Sequence, residues 1–325
     1  QDNPVNSAAP AFGKRKAAVY ATCFVNYNKP ETGMDARAVL NHIGVETKVA
    51  YPGCCGMPFL EQAELARVAD NAAKVSKELV KLIDEGYDIV ALTASCGLML
   101  KFEWALICPD NPDVKRVQEH VFDIDEYVVD VAKKEGLPAG LSPLPEGVTV
   151  HLACHARAQN MGPKAAEMLK MIPDTPVDVV ERCSGHGGTF GVVKPTHDVG
   201  VKVGKSVFKA VNAKARGHIV SDCPLAAVHI VAHTDTPAKE PEHPIQIMAR
   251  AFGLHGERVE MADELGGAIG RALAAVAQGQ PALLDVLVTP EAASSDAKSG
   301  LAWVPDLQAL QAWDDAERQW RLQGG

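Results

Sequence analysis

Seven of the eight cysteines fall into two sets that match each other in order and spacing. The first thiol set is Cys23, Cys54, Cys55 and Cys96, and the second thiol set is Cys154, Cys183 and Cys223. The intervals are 31 and 42 residues in the first set and 29 and 40 residues in the second. Because thiolates bind both iron–sulfur clusters and zinc, this repeat predicts two metal or cluster sites.

The duplication extends to the residues around the cysteines. The matching pairs of segments are VYATCFVN (19–26) with VHLACHAR (150–157), VAYPGCCGMPF (49–59) with VVERCSGHGGTF (179–190), and IVALTASCGLML (89–100) with HIVSDCPLAAVHI (218–230). Three matched segments in the same order indicate that the two halves share one fold.

Apolar, β-prone segments carry or precede the cysteines and alternate with helical patterns. The predicted strands are 16–24, 45–51, 88–94, 148–154, 177–182 and 218–222, and the predicted helices are 36–44, 60–86, 163–172 and 203–215. This alternation predicts an α/β fold of two tandem, pseudo-symmetric units with small parallel sheets. The cysteines then lie at the carboxyl ends of the strands, the edge where open α/β sheets bind ligands.

The charge and the hydropathy of the chain argue against two classes of protein. A formal charge of −9 argues against a nucleic-acid surface, and no apolar run is long enough to span a membrane. Peripheral association with a membrane stays open. A disulfide framework is typical of small secreted domains, so we expect reduced cysteines and a cytoplasmic location, or one at the inner face of the membrane within a complex. The Pro- and Gly-rich linker 136–147 separates the halves.

The predicted organisation has four parts. These are an N-terminal tail (1–15), a first cluster-binding domain (16–145), a second, modified domain (146–254) and a mainly helical C-terminal extension (255–325). Within the extension, 261–279 is predicted to be a helix, 289–300 a loop and 303–325 an amphipathic helix.

The first thiol set supplies four thiolates, the number that a [4Fe–4S] cluster takes. Structural zinc sites usually show short C-x₂₋₄-C knuckles, and the first set has none. We therefore predict a cluster on Cys23, Cys54, Cys55 and Cys96, with zinc as the alternative. Cys108 has no counterpart in the repeat and is expected to be a buried small side chain.

The second thiol set has three thiolates because Ser184 replaces the second cysteine of the pair. His186 follows Cys183 at an ordinary chelating interval, so it is the preferred fourth ligand, with His155 and Ser184 as weaker candidates. A hydrogen-bonding role for His186, or loss of the site, stays open. The Gly-rich segment 185–191 adjoins this set and lacks a phosphate-binding context.

The segments CFVNYN (23–28), CCGMP (54–58), SCGLMLKFEW (95–104), ACHARAQNMG (153–162), GGTFGVVK (187–194) and DCP (222–224) carry a family resemblance. Over residues 16–254 the chain resembles the CCG-domain (cysteine-rich domain) family of iron–sulfur proteins. Within that family it is most similar to the C-subunit type of anaerobic glycerol-3-phosphate dehydrogenase, and it also resembles the B-subunit type of heterodisulfide reductase.

The resemblance implies two [4Fe–4S] clusters that pass electrons between a dehydrogenase or reduced donor and a quinone or another acceptor. The implied partner is a flavoprotein dehydrogenase or a ferredoxin-like module. Two alternatives are a heterodisulfide-reductase-like enzyme, which binds a thiol, a disulfide or a small ligand at the second set, and a structural zinc scaffold.

The chain departs from the family pattern in its cysteine count. Met99 and Ala226 stand where a further cysteine follows Cys96 and Cys223 in the family. Heterodisulfide reductase uses five cysteines for each noncubane cluster, so four and three leave the cluster type of the second set open.

Overall fold

The computed structural model describes residues 4–188, 190–238, 240–259, 265–277 and 282–286. The first half is built on a fully parallel sheet with the strand order β2-β1-β3-β4. Its strands are β1 (Lys16–Tyr20), β2 (Glu46–Ala50), β3 (Asp88–Ala91) and β4 (Val121–Asp123).

Helices connect these strands as the crossovers that a parallel sheet requires. They are α1 (Cys23–Asn28), α2 (Pro30–His42), α3 (Met57–Glu61), α4 (Leu65–Asp84), α5 (Ala94–Leu98), α6 (Trp104–Ile107), α7 (Pro112–His120) and α8 (Ile124–Lys134), with a π-helical turn at Met99–Glu103. The sequence analysis placed one long helix at 60–86. Instead two helices form, because Ala63 adopts a positive φ of 58° and breaks the chain direction.

The second half repeats the arrangement, with a parallel sheet in the order β6-β5-β7. Its strands are β5 (Val148–His151), β6 (Val177–Val180) and β7 (His218–Val220). Its helices are α9 (Cys154–Ala158), α10 (Lys164–Leu169), α11 (His197–Lys214), α12 (Pro224–Val231) and α13 (Pro244–Ala251). In both halves the first strand is central and the next two flank it, as the duplication predicts.

The repeat continues beyond the cysteine segments. Glu242 forms a parallel bridge with Val220, in the position that β4 takes beside β3 in the first half. The residue that follows, His243, caps α13 through a capping box with Gln246, as Asp123 caps α8 with Glu126. Each half therefore ends in a similar way, with one more parallel pairing, a strand in the first half and a single bridge in the second, followed by a capped helix.

Helices of each half pack against helices of the other half. In the packing, α2 of the first half lies against α13 of the second, and α10 of the second half lies against α8 of the first. Because α2 corresponds to α10 and α8 to α13, this pattern is that of an approximate two-fold axis. One hydrophobic core joins all four helices, through Leu40, Val128, Met168 and Met248 among others.

Helix α4 covers the first sheet on the side of the first thiol set. Its buried residues, Val68, Ala72, Val75, Leu79 and Ile83, recur every three or four positions and make one apolar face. The positions between them are mostly exposed. This spacing explains why the helix packs with a single face on the core.

The structure differs in detail from the predicted N-terminal tail and C-terminal extension. Ala9 and Ala11 of the predicted tail are buried, and Ala11 joins the hydrophobic core. The described part of the C-terminal extension contains β8 (His255–Val259), α14 (Leu265–Ala277) and β9 (Ala282–Val286), and the two strands pair in parallel. The interpretations of 289–300 and 303–325 fall outside the described residues. Among the described helices, none combines the length and the apolar character needed to cross a membrane.

Truncating the buried face of α4 tests this architecture. Leu79 is fully buried, so we expect Leu79→Ala to lower the free energy of unfolding by about 2–5 kcal/mol. Leu106 is 75% exposed, and Leu106→Ala is the matched control with little expected effect. Thermal unfolding of both variants measures the difference, and equal midpoints would contradict the packing of α4.

Candidate functional site

The carboxyl ends of three neighbouring strands bring the first thiol set together. Cys23 begins α1 after β1, Cys54 and Cys55 lie between β2 and α3, and Cys96 lies in α5 after β3. Cys55 and Cys96 are buried, while Cys23 and Cys54 are half-buried. The structure thus places all four predicted residues in one region that opens toward the surface.

The four thiols form a continuous chain of contacts. The Sγ atoms of Cys55 and Cys96 are 3.2 Å apart. Hydrogen bonds from Cys23 and Cys55 lower the pKa of Cys54 to about 2, and the same bonds raise the pKa of Cys23 and Cys55. The backbone N–H of Gly56 also donates to the Cys54 sulfur, at 3.4 Å. Such a set is suited to stabilise anionic sulfur.

The backbone conformation explains why a glycine follows the paired cysteines in the CCG motif. Gly56 adopts φ +91°, a left-handed conformation that glycine reaches without steric cost, and it caps the start of α3. Gly185, at the same place in the second half, adopts φ +80°. In both halves the chain therefore turns sharply just after the position of the paired cysteines.

Two buried side chains hold the loop that carries Cys54 and Cys55. The Tyr20 hydroxyl donates to the carbonyl of Gly53 at 2.5 Å, and the Trp104 indole N–H donates to the carbonyl of Cys55 at 2.8 Å. Trp104 follows the π-helical turn, a distortion that is often found at functional sites. Met99, where the family has a further cysteine, is fully buried in that turn.

The second thiol set occupies the corresponding strand ends. Cys154 begins α9 after β5, Cys183 follows β6, and Cys223 caps α12 after β7. Cys154 and Cys183 are exposed, whereas Cys223 is buried and burial raises its pKa to about 12. The second set is thus more open to solvent than the first.

His186 lies within this set. Its Nε2 is 3.6 Å from the Sγ of Cys223, and its Nδ1 is 2.8 Å from the Oγ of Ser184. Burial lowers the pKa of His186 to about 4, and neighbouring histidine rings add to the effect. The imidazole is therefore neutral at pH 7, the form that ligates metals.

The sequence analysis missed a residue that links all three loops of the second set. His151 is buried, its Nε2 lies 2.9 Å from the carbonyl of Arg182, and its Nδ1 lies 3.1 Å from the hydroxyl of Ser221. Ser221 in turn accepts from the backbone N–H of Cys223 at 3.2 Å. The repeat alignment contains the signal, because His151 and Tyr20 both precede a cysteine by three positions.

A pocket opens beside the second set. It has about 330 Å³ of empty space, part of which is open to solvent. Its lining includes Cys154, Cys183, Ser184, His186 and Arg157. A small molecule that enters this pocket would meet both exposed thiols and the imidazole.

Both thiol sets adjoin the seam between the halves. The backbone N–H of Ala94 donates to the carbonyl of Asp222 at 3.0 Å, and Gln159 donates to the carbonyl of Ala94 at 3.1 Å. Ala94, Ala153, Ala156 and Ala226 pack there together with Cys223. These small side chains allow the strand ends of the two sheets to approach closely.

Three carboxyl groups are also buried near this seam. Burial raises the pKa of Asp123 to about 6, and it raises the pKa of Asp125 and Asp222 well above the usual range of a carboxyl. The negative charge of Asp123 acts in the same direction on the pKa of Asp125 and of Asp222.

Two other candidates differ in their surroundings. Cys108 is half-buried against the hydrophobic cluster that includes the buried face of α4, and its Sγ lies 4.0 Å from the carbonyl of Ala69. His155 is half-buried, and Glu61 and Glu103 of the first half are close enough to influence its pKa, which burial lowers.

A group of three histidine rings lies on the second half. His197 joins His229 and His233, with ring centroids 4.7 to 6.1 Å apart. Within the part of the chain that the structure describes, no group of three or more His, Cys, Asp or Glu side chains is arranged around a single metal ion.

Comparison with known proteins gives one family and several relatives. The family described as "Cysteine-rich domain" (CCG) matches residues 17–101 and 148–230. The C subunit of anaerobic glycerol-3-phosphate dehydrogenase from Escherichia coli strain K12 is 28% identical over 253 residues, 76% of this chain and 61% of that protein.

Two further relatives agree with this match. An uncharacterized iron-sulfur protein of Methanocaldococcus jannaschii is 29% identical over 220 residues, 67% of this chain and 41% of that protein. Lactate utilization protein A of Bacillus pumilus is 26% identical over 188 residues, 54% of this chain and 75% of that protein. The chain spans less than two thirds of the length of the first two relatives.

Removing the Tyr20 hydroxyl tests how the loop that carries Cys54 and Cys55 is held. Tyr20→Phe keeps the buried ring and deletes the bond to the Gly53 carbonyl, so we expect a loss of about 1 kcal/mol of unfolding free energy. Tyr27, 72% exposed, supplies the matched control Tyr27→Phe, for which no change is expected. Chemical denaturation of the two variants checks this, and an unchanged Tyr20→Phe protein would show that the bond is dispensable.

Proposed function

This chain belongs to the CCG cysteine-rich domain family, and from that premise we propose that it is an iron–sulfur protein that carries electrons as one component of a redox complex. The observation that supports this most is the convergence of four thiols from three strand ends. A bound [4Fe–4S] cluster supplies reversible one-electron transfer.

The first thiol set fits such a cluster by its donor chemistry. Cys23, Cys54, Cys55 and Cys96 provide soft sulfur ligands, and the backbone N–H of Gly56 stabilises negative charge on Cys54. Trp104 and Tyr20 hold the loop of the paired cysteines in place. We propose these four thiols as the ligands of the first cluster.

The second thiol set fits a cluster with one ligand changed. We propose Cys154, Cys183 and Cys223 as sulfur ligands and His186 as the fourth, with His155 and Ser184 as weaker candidates. Imidazole in place of thiolate removes a negative charge, which raises the potential of a cluster. The two sites would then differ in potential, as an ordered transfer of electrons requires.

The partner that fits this role is another redox protein, a flavoprotein dehydrogenase or a ferredoxin-like module. One relative is named as part of a dehydrogenase and another as a lactate utilization protein. Free thiols at all ligand positions favour a reducing compartment. We therefore propose the cytoplasm, or the inner face of the membrane within a complex, as the location, and a quinone or another carrier as the final acceptor.

A second candidate function is supported by the pocket beside the second set. Cys154 and Cys183 are exposed and line this pocket with His186, so a thiol, a disulfide or another small ligand could bind there. The second half would then be catalytic and the first half a relay, as in a heterodisulfide-reductase-like enzyme.

Replacing one thiol of the buried pair tests the first site. We expect Cys55→Ser to lose about half of the bound iron and sulfide, because it removes one of four ligands of one cluster of two. Cys108→Ser is the matched control, since Cys108 lies outside both sets. Anaerobic purification with iron and sulfide analysis measures both. A colourless wild-type protein that contains zinc would instead support the structural scaffold.

Replacing the imidazole tests the second site. His186→Ala should abolish the histidine-nitrogen hyperfine coupling of one cluster in pulsed EPR and shift its midpoint potential, while the other cluster is unchanged. His120→Ala, at a half-buried histidine that pairs with Asp88, is the control. If His186→Ala leaves both spectra unaltered, the fourth position is open to solvent or substrate, and the enzyme is the better proposal.

A further inference from the structure

Ser184 and His186 make a direct contact that the repeat in the sequence does not reveal. Ser184 stands where the first half has Cys55, but only 5% of it is exposed and its Oγ lies 2.8 Å from Nδ1 of His186. The other ring nitrogen, Nε2, faces the sulfur of Cys223 at 3.6 Å. One ring nitrogen thus meets the serine and the other meets the thiol set.

The loop that carries this pair is held by close backbone contacts. A Cβ atom on Gly185 would lie 2.1 Å from the carbonyl oxygen of Gly200 on α11, and one on Gly204 would lie 2.6 Å from the carbonyl oxygen of Ser184. Gly200 and Gly204 are four residues apart and so share one face of the helix. Only glycine at these places lets the loop approach α11 this closely.

The backbone on the far side of His186 is fixed as well. The N–H of Gly191 donates to the carbonyl of His186 at 2.6 Å, and a Cβ atom on Gly191 would lie 2.7 Å from the Cα of His186. Gly185 and Gly191, on the two sides of His186, therefore serve to place the imidazole.

Ligation of a metal through Nε2 would select one tautomer of the ring, and the contact with Ser184 is compatible with it because a hydroxyl accepts as well as donates. A neutral imidazole has one N–H, and a nitrogen that faces a metal must offer its lone pair. When Nδ1–H donates to Ser184 Oγ, the lone pair is on Nε2, the nitrogen that faces the thiols. Metal-ligating histidines usually donate their other N–H to such a partner, which fixes the ring and its tautomer.

We infer that Ser184 is a positioning residue, which holds Nδ1 of His186 so that Nε2 is presented to the second thiol set. The inference rests on the proposed function. It replaces the idea that Ser184 competes with His186 as a ligand: a serine hydroxyl ligates well only after it loses a proton of very high pKa, whereas hydrogen bonding needs no such loss. The second half has exchanged a thiolate for a histidine together with its partner.

Ser184→Ala tests the inference in the anaerobically purified holoprotein. We expect iron to be retained, with a changed histidine-nitrogen coupling in pulsed EPR. Iron release from the second set to a chelator should become about 10–100-fold faster, the usual effect of losing such a partner. Release from the first set should be unchanged. Ser206→Ala, at an exposed serine of α11, is the matched control.

Ser184→Cys provides a second variant if the alanine protein is unstable. It restores the paired cysteines of the repeat, so a thiolate should displace the imidazole and abolish the nitrogen coupling while iron stays bound. Retention of the wild-type coupling in this variant would overturn the inference.

The outcomes separate the inference from the function on which it rests. Wild-type coupling and wild-type iron release in Ser184→Ala would overturn the positioning role and leave the proposed function intact. A wild-type protein with clusters but no histidine-nitrogen coupling would overturn both the ligand assignment of His186 and this inference. A wild-type protein without iron would overturn the function itself.

Discussion

The close approach of two sets of strand ends is the constraint on which the rest of the structure depends. Alanine side chains make it sterically feasible, and the hydrogen bond between Ala94 and the Asp222 carbonyl spans it directly. Because each thiol set lies at the carboxyl edge of its own sheet, joining these edges brings both sets to one seam. Burial at the same seam raises the pKa of Asp125 and Asp222, which favours their uncharged forms there.

The two sets show how one framework supports two chemistries. The left-handed glycine, the strand-end cysteine and the side chain that holds the loop recur in both halves, as in the pairs Gly56 with Gly185 and Tyr20 with His151. What differs is the ligand chemistry and the access of solvent. The first set is all sulfur and its thiols are buried or half-buried, while the second pairs sulfur with a neutral imidazole beside an open pocket.

Much of this arrangement could be predicted from the sequence because the repeat is strong. It indicated two parallel α/β units and placed the cysteines at strand ends. Strand lengths were overestimated, since the chain turns into helix as early as Cys23. The short β4 and the bridge at Glu242 lacked any periodic signal. The contact between Ser184 and His186 could not be predicted either, because it depends on how closely a loop packs against glycines of α11.

The reciprocal packing of α2 on α13 and of α10 on α8 has an evolutionary consequence. Helices of each half cover part of the other half, as the same surfaces of two identical chains do in an isologous homodimer. A single ancestral unit could have paired with itself through these same surfaces. Fusion into one polypeptide then freed the copies from identity, so that one could keep its four thiols while the other acquired a histidine.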